Sequence, residues 1–441
     1  MISLVLIVLL VSLASIDCQA QQQWTLRQCM DYAIEHNISI KQQDNVRRQQ
    51  ELSLSTSRNS RLPDLSASAS ENYSFGRAQT LDGTYSNRNT NSTSFSIGTS
   101  VPLFTGFEIP NRIKLNQLNL EAATQDLEKA KNDIRMQVAQ AYVQILYNME
   151  IADVACRQVA IDSAQVKRLE AFVENGKASQ AQLSQQQATL AQAQLTATQA
   201  DNNLQLSVLA LTQLLELPSP EGFSIVRPDN TSLLVLHSSL PSPDAIYQEA
   251  LTIKPEVRAE QLRLSAADKS ISIAKAALYP KLYFNAGLQT NYYKTNGMKA
   301  ESFASQMKNN FAQYLGVSLS IPIFNRFATR NNVRSARIDR ENRQLQFDLV
   351  RKTLYKDIQQ VYYNAVAAGS KYESSKQAQQ SSQDAFKLTQ AKYENGKASI
   401  TEFNEAKNNY LKTESDLVQA RYEYLYQTAL LDFYRGRDLN F

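Results

Sequence analysis

Glycine and proline are both scarce, 12 and 11 among 441 residues, where an average chain carries roughly 7% and 5%. So few turn-forming residues argue against a fold built on many tight turns. Cysteine and histidine are scarcer still, at 3 and 2. That excludes multi-ligand metal sites and most histidine-based catalysis, and no metal or cofactor is implied. The formal net charge is only +4, with no dense basic run, so nucleic acid is not the implied partner. Past the leader, no stretch reaches 18 consecutive apolar residues, so no helix is expected to span a bilayer. Any insertion has to be made by strands.

What is abundant is the vocabulary of long helices. There are 43 Gln, and much of the remainder is Ala, Leu, Lys and Glu, all good helix formers. Hydrophobic residues at 43% and charged residues at 20% permit a core and rule out wholesale disorder. The apolar run Leu4 to Ile16, followed by Cys18-Gln19-Ala20, reads as a signal peptide over residues 1–20, although no Lys or Arg precedes it. Lipidation of Cys18 is the alternative, and Asp17 fits it poorly. Cys29 and Cys156 remain in the mature chain, far apart and expected to be unpaired.

The chain is written twice. Glu174-Asn175-Gly176-Lys177-Ala178-Ser179 returns 220 residues later as Glu394-Asn395-Gly396-Lys397-Ala398-Ser399. At the same shift Val101-Pro102-Leu103-Phe104 becomes Ile321-Pro322-Ile323-Phe324, and Tyr142 becomes Tyr362. Upstream the shift is 217, pairing Ala33 with Ala250 and Pro63 with Pro280. The expected organisation is therefore a first repeat over 21–217, a proline-rich connector over 218–243, a second repeat over 244–436 and a tail over 437–441. The first repeat is expected to hold helices over 24–60, strands over 65–77 and 91–104, and long helices over 107–173 and 177–216. Its copy holds helices over 244–278, strands over 281–293 and 312–324, and long helices over 326–393 and 397–435.

Phe107 to Phe172 contains one proline, Pro110, and no glycine. A continuous helix there is roughly 99 Å long at 1.5 Å per residue. The returning helices carry a heptad at Phe403, Tyr410, Leu417, Tyr424 and Leu431, matched by Leu183, Leu190, Ala197, Leu204 and Leu211. Ala406, Thr413 and Ala420 run beside it, giving a seam of large and small residues. Taken alone, these helices also fit a sealed antiparallel coiled-coil bundle.

The strands speak against that reading. Phe95, Ile97, Thr99 and Val101 alternate with Ser94, Ser96, Gly98 and Ser100; Leu315, Val317, Leu319, Ile321 and Ile323 alternate with Gly316, Ser318 and Ser320. One face is apolar and the other small or polar, as suits a sheet between lipid and water. Ten to twelve residues tilted about 40° climb roughly 25 to 30 Å, close to the apolar band of an outer membrane. Four strands cannot close a barrel, and open edges are costly in lipid, so copies of the chain are expected to share one. The polar tips Arg77 to Asn91 and Lys294 to Asn310 would then lie outside the cell and the helices in the periplasm.

With the duplicated Val-Pro-Leu-Phe and Ile-Pro-Ile-Phe segments, the paired Asn-Gly-Lys-Ala-Ser tips and two long helices per copy, the sequence resembles the outer-membrane efflux protein family, the TolC-like exit ducts. The likeness runs over residues 21 to 436. It implies a mainly α fold with a transmembrane β part, in which a homotrimer forms one 12-stranded β-barrel continued by a 12-helix α-barrel. It also implies a periplasmic adaptor (membrane-fusion) protein and an inner-membrane pump as partners, in tripartite efflux or type I secretion. The site is then a Gram-negative outer membrane. A periplasmic adaptor or structural protein without a pore is the alternative.

Gly176 and Gly396 mark sharp reversals between long helices; family members meet their adaptor at such tips, where Lys177 and Lys397 would add polar contact. Glu402 and Glu405 are three apart and share a helical face, while the first copy has Gln182 and Gln185 there. By resemblance these acids form two rings at a periplasmic gate, with Tyr393 matching the family's tyrosine. The family's gate-locking arginine is replaced by Ala398. Catalysis is not expected. Ser272 to Lys275 and Ser305 to Lys308 fit Ser-x-x-Lys without the companion motifs. Gly176-Lys177 lacks the rest of a phosphate loop, and His36 and His237 stand isolated. Phe441 follows a helix, which argues against a barrel-assembly signal on a terminal strand.

Overall fold

The computed structural model describes residues 23–79, 83–227 and 240–439. The expected leader with Cys18, His237 and the terminal Phe441 lie outside the described residues. The first repeat runs β1 (Gln23–Trp24), α1 (Leu26–His36), α2 (Ile38–Asn59), β2 (Ser66–Ser74), β3 (Arg77–Gln79), β4 (Tyr85–Asn87), β5 (Thr90–Phe104), α3 (Glu108–Glu174) and α4 (Gln180–Leu214). After β6 (Ser224–Ile225) the copy follows with α5 (Pro243–Ile253), α6 (Pro255–Ala276), β7 (Lys281–Thr295), α7 (Phe303–Asn309), β8 (Ala312–Ser320), α8 (Ala328–Glu394) and α9 (Ile400–Tyr434). Contacts divide the chain into two units, one of Met1–Asp44, Asp126–Val257 and Arg351–Phe441, the other of Asn45–Gln125 and Arg258–Val350.

The second unit holds a four-stranded antiparallel sheet in the order β2-β5-β7-β8. Register assigns its faces. Rows such as Ile97–Leu288 and Val101–Phe284–Val317 carry apolar side chains on one face; Ser68–Ser96–Gln289 and Ser100–Asn285–Gly316 line the other. Among the described residues neither face is packed under another layer, apart from α7 lying against the far end of β7, where Thr290 donates to the Met307 carbonyl at 2.7 Å. Leu315 is accordingly 79% exposed and Val317 63%. From Phe95 to Phe104 the apolar band spans ten residues of β5, roughly 25 Å high at a tilt of about 40°. One row further on, Thr93 donates to Glu71 on the same face, and the band ends. Near the helical end of the sheet the aromatics meet edge to face, Phe104 with Phe107 at 5.3 Å and Phe324 with Phe327 at 5.4 Å.

Several boundaries differ from the sequence expectation, each for a physical reason. The strand expected over 312–324 stops at Ser320, because β7 begins at Lys281, the partner of Ser320. Ile321 to Phe324 have no strand to pair with, although their first-repeat equivalents lie in the central strand β5. The strand expected over 65–77 ends at Ser74, and the tips beyond it contain the β3–β4 ribbon and α7. The helices expected over 24–60 and 244–278 are each broken once, at Asn37 and Lys254, both with extended backbone. Pro255 forces the second break. The long helices run over 108–174, 180–214, 328–394 and 400–434.

The first unit is helical, with the parallel pair β1–β6 at its side. The Tyr142 hydroxyl donates to the Val226 carbonyl at 2.7 Å and ties that pair to α3. Leu354, Ile358, Val361, Ala365 and Ala368 on α8 are buried, as is the small Ala420 on α9, which packs with Tyr372 and Tyr424. His36 is structural: its ring stacks on Tyr32 at 3.9 Å. Cys29 is a buried free thiol and Cys156 an exposed one.

The two helix breaks are repeat-equivalent, 217 positions apart, and both clip the end of a long helix. Asn37 Nδ2 donates to the Leu214 carbonyl of α4 at 3.1 Å. Lys254 Nζ donates to the Phe433 carbonyl of α9 at 3.2 Å and lies 4.1 and 4.7 Å from the Phe433 and Tyr434 ring centroids. One clip is neutral and the other charged. Burial pushes the Lys254 ammonium down from 10.5 to about 8, against the pull of Glu256 and Asp133. Above pH 8 the folded chain has released a proton that the unfolded chain still holds, so this residue's contribution to stability rises between pH 8 and 10.5. Lys254→Met should remove that slope. The difference in unfolding free energy between variant and parent, from denaturant titration followed by helical circular dichroism, should move in the parent's favour by as much as about 3 kcal/mol between pH 7 and 10.5; a constant difference would contradict the assignment.

Candidate functional site

The two helical tips have one construction. Gly176 has φ 71° and Gly396 φ 68°, the left-handed region where a side chain costs about 1–2 kcal/mol. Gly176 N–H donates to the Val173 carbonyl at 2.9 Å and Lys177 N–H to Phe172 at 2.7 Å. In the copy, Gly396 donates to Tyr393 at 3.0 Å and Lys397 to Lys392 at 2.8 Å. This is a Schellman motif, which satisfies the last carbonyls of each descending helix. A Cβ at either glycine would meet nothing within 4 Å, so backbone conformation, not space, requires glycine. Lys177 and Lys397 are exposed.

Each ascending helix then opens with a capping box. Ser179 Oγ accepts from the Gln182 N–H at 3.3 Å, and the Gln182 side chain accepts from the Ser179 N–H at 3.0 Å. In the copy the acceptor is Glu402, whose carboxylate takes the Ser399 N–H at 2.7 Å and the Ser399 hydroxyl at 2.9 Å. Those bonds hold the Glu402 carboxyl below the usual carboxylate range. Glu402 and Glu405 are both exposed. Tyr393 is half-buried, its ring 5.0 Å from Phe403 on one side and 5.2 Å from the Arg168 guanidinium on the other. Burial raises its phenol above the ordinary value, with Arg168 opposing. Arg168 also lies over Phe172 at 5.3 Å and donates to the Glu394 carbonyl at 3.4 Å. It thereby links the tips of the two repeats.

One helical turn past Phe403, an ion pair sits in the core. Lys407 on α9 donates to Asp162 on α3, and both side chains are 0% exposed. Asp162 Oδ1 also accepts from Gln186 of α4 at 3.1 Å, and Gln186 in turn accepts from Asn404 at 3.1 Å. Three helices from both repeats meet on these four residues. Breaking such a pair costs more than the pair contributes, since the survivor is left charged and dry.

Residues 30–216 and 246–437 match the family described as outer membrane efflux protein. The chain belongs to that family. The matched stretches coincide with the two repeats. Over 309 residues it is 24% identical to the pyoverdine export outer membrane protein OpmQ of Pseudomonas putida, covering 69% of this chain and 60% of that protein. The alignment therefore spans about three fifths of that relative's length. The CmeC outer membrane channel of Campylobacter jejuni superposes with a TM-score of 0.79 at 16% identity, over 94% of this chain and 87% of that one. The outer membrane protein VceC of Vibrio cholerae gives 0.76 at 18% identity, over 94% and 97%. Such identities establish the fold alone, mostly helical and shared with these outer membrane proteins. As a member of this family the protein is an outer-membrane efflux protein and not an enzyme.

Sequence reasoning missed Arg168 and the Asp162–Lys407 cluster. A signal for the cluster was present: Asp162 falls on the stripe of Ala155, Val166 and Leu169, and Lys407 lies four residues from Phe403 and Leu411, all of which are buried. A charge on each of two apolar stripes suggests a pair. Arg168 carries no comparable mark. Asp162→Asn should cost about 3–5 kcal/mol of stability, read as a lower thermal midpoint of the purified protein. The joint change Asp162→Leu with Lys407→Met should recover most of that loss; a single variant as stable as the parent would show the pair to be unimportant.

Proposed function

We propose that the chain is one subunit of a homotrimeric exit duct. Three four-stranded sheets close a 12-stranded barrel in the outer membrane, and the long helices continue it as a 12-helix tube in the periplasm. The observation that carries this reading is the sheet with unlike faces, which among the described residues has only α7, at one end, packed against it. Lipid suits the apolar face, water suits the polar one, and pairing with neighbouring copies satisfies the edges. A pore-less periplasmic protein would leave the apolar face in water.

Transport through the duct is passive. A periplasmic adaptor and an inner-membrane pump, as in tripartite efflux or type I secretion, deliver the solute. The tips at Gly176-Lys177 and Gly396-Lys397 are the adaptor's docking points, exposed and held in one conformation by paired caps. Cargo follows the pump. Relatives are named for pyoverdine export, for toxin and drug export, and for cobalt-zinc-cadmium resistance, so the duct itself imposes little choice.

Glu402 and Glu405 form the charged gate beside Tyr393, two stacked rings of three in the trimer. The capping box supports reading the charge as functional, because the cap needs only an acceptor. Gln182 provides one without charge in the first repeat, so a carboxylate at 402 is surplus to the fold. Glu402→Gln with Glu405→Gln should accordingly leave helicity and trimer yield intact. It should lower the cation-to-anion permeability ratio by about twofold or more in planar-bilayer recordings. Unchanged selectivity would remove the ring assignment.

A further inference from the structure

Tyr314 of β8 shares a register row with Gly287 of β7 and Gly98 of β5. The outer end of its ring lies over Gly287 and its hydroxyl reaches towards Gly98. A Cβ built on Gly287 would fall 2.7 Å from two ring carbons and from the hydroxyl oxygen, and one on Gly98 would lie 3.5 Å from that hydroxyl. Two glycines side by side on adjacent strands thus form a floor that admits an aromatic ring. One ring face rests on this floor, and the side chain is still 47% exposed.

The surroundings single the ring out. The polar-face row on one side holds Ser96 and Gln289 and that on the other Ser100 and Asn285, where the Asp64 carboxylate accepts from the Ser100 N–H at 2.5 Å and is held at the backbone. Apart from that one bonded carboxylate, the neighbouring rows offer neutral hydrogen-bonding groups. An upward-facing phenol ring is electron-rich, and it attracts a cation without any carboxylate.

We propose that Tyr314 is a stacking shelf in the duct wall, three per trimer, on which planar aromatic cations pause during passage. This rests on the pore reading above, which makes the polar face the lumen. Packing alone explains why a ring covers two bare glycines, but packing makes no prediction about solute binding. The half-open placement over bare backbone does: it leaves room for a second ring to stack on the exposed face, at mid-sheet.

The test uses the full mature protein as purified trimer in planar bilayers, with ethidium as probe and potassium as current carrier. In the parent, ethidium should interrupt the single-channel current. Tyr314→Leu, which keeps an apolar side chain but no π face, should shorten the interruptions about fivefold or more, and Tyr314→Phe should keep them within about twofold of the parent. Gly287→Ala, which retains the phenol and lifts it off its floor, should shorten them as Tyr314→Leu does, with potassium conductance preserved. Equal interruption times in parent and Tyr314→Leu channels of normal conductance would overturn the shelf and leave the pore intact. A parent protein that conducts nothing would overturn the pore reading and the shelf with it.

Discussion

In hydrocarbon every unpaired peptide group costs several kcal/mol, and the sheet has two edge strands, β2 and β8, without a further strand partner among the described residues. That constraint governs the rest of the molecule. Side chains of the apolar face can be satisfied by lipid, but backbone groups at an edge can be satisfied only by another backbone. A sheet of this kind is stable in a bilayer only when another sheet completes it, and the simplest completion is more of the same chain. The duplicated sequence fits this logic. Each repeat contributes a hairpin, β2–β5 or β7–β8, and the two hairpins join at β5–β7. The shortened β8 shows the same rule at work: Ile323, equivalent to a residue inside β5, is 94% exposed because β7 does not reach it.

At the other end of the long helices the recurring problem is again unsatisfied backbone. A descending helix leaves its last carbonyls free and an ascending one its first N–H groups. The six residues Glu-Asn-Gly-Lys-Ala-Ser solve both in sequence, with a Schellman turn on glycine followed by a serine cap. That double duty explains why this short string, of all the chain, is kept letter for letter in both copies. A purely polar docking patch would need neither the glycine at φ near 70° nor the serine three residues before a Gln or Glu acceptor.

The large features were legible because they are periodic. Long glycine-poor stretches with three-and-four spacing gave the helices, strict alternation gave the strands, and duplication gave the architecture. The breaks at Asn37 and Lys254 were not read, although the Lys254-Pro255 step was available as a signal. The end of β8 could not be read from its own residues, since Ile321 and Ile323 continue the alternation and only the length of a neighbouring strand stops it. At the candidate site, the capping role of Glu402 was written in Ser399-x-x-Glu402 and passed over in favour of its charge. The contact of Arg168 with Tyr393 joins residues 225 positions apart in sequence, and nothing local encodes it. The same holds for Tyr314 over Gly287 and Gly98: the glycines look like strand weaknesses until register puts a ring on them.

Comparison of the two repeats exposes an asymmetry of chemistry rather than of fold. At four equivalent places the first copy has a neutral amide and the second a charge: Asn37 against Lys254, Gln182 against Glu402, Gln185 against Glu405 and Gln187 against Lys407. Two of these charges are buried, at a helix clip and in the three-helix pair, and two are exposed beside the tip. An amide keeps its hydrogen bonds at any pH or salt concentration, whereas a buried ammonium depends on its partner and an exposed carboxylate on screening. At these four places the second copy therefore carries groups that answer to pH or salt, where the first carries groups that do not. Duplication supplied two equivalent helical hairpins; the substitutions placed charge on one of them only, the asymmetry on which the proposed gate rests.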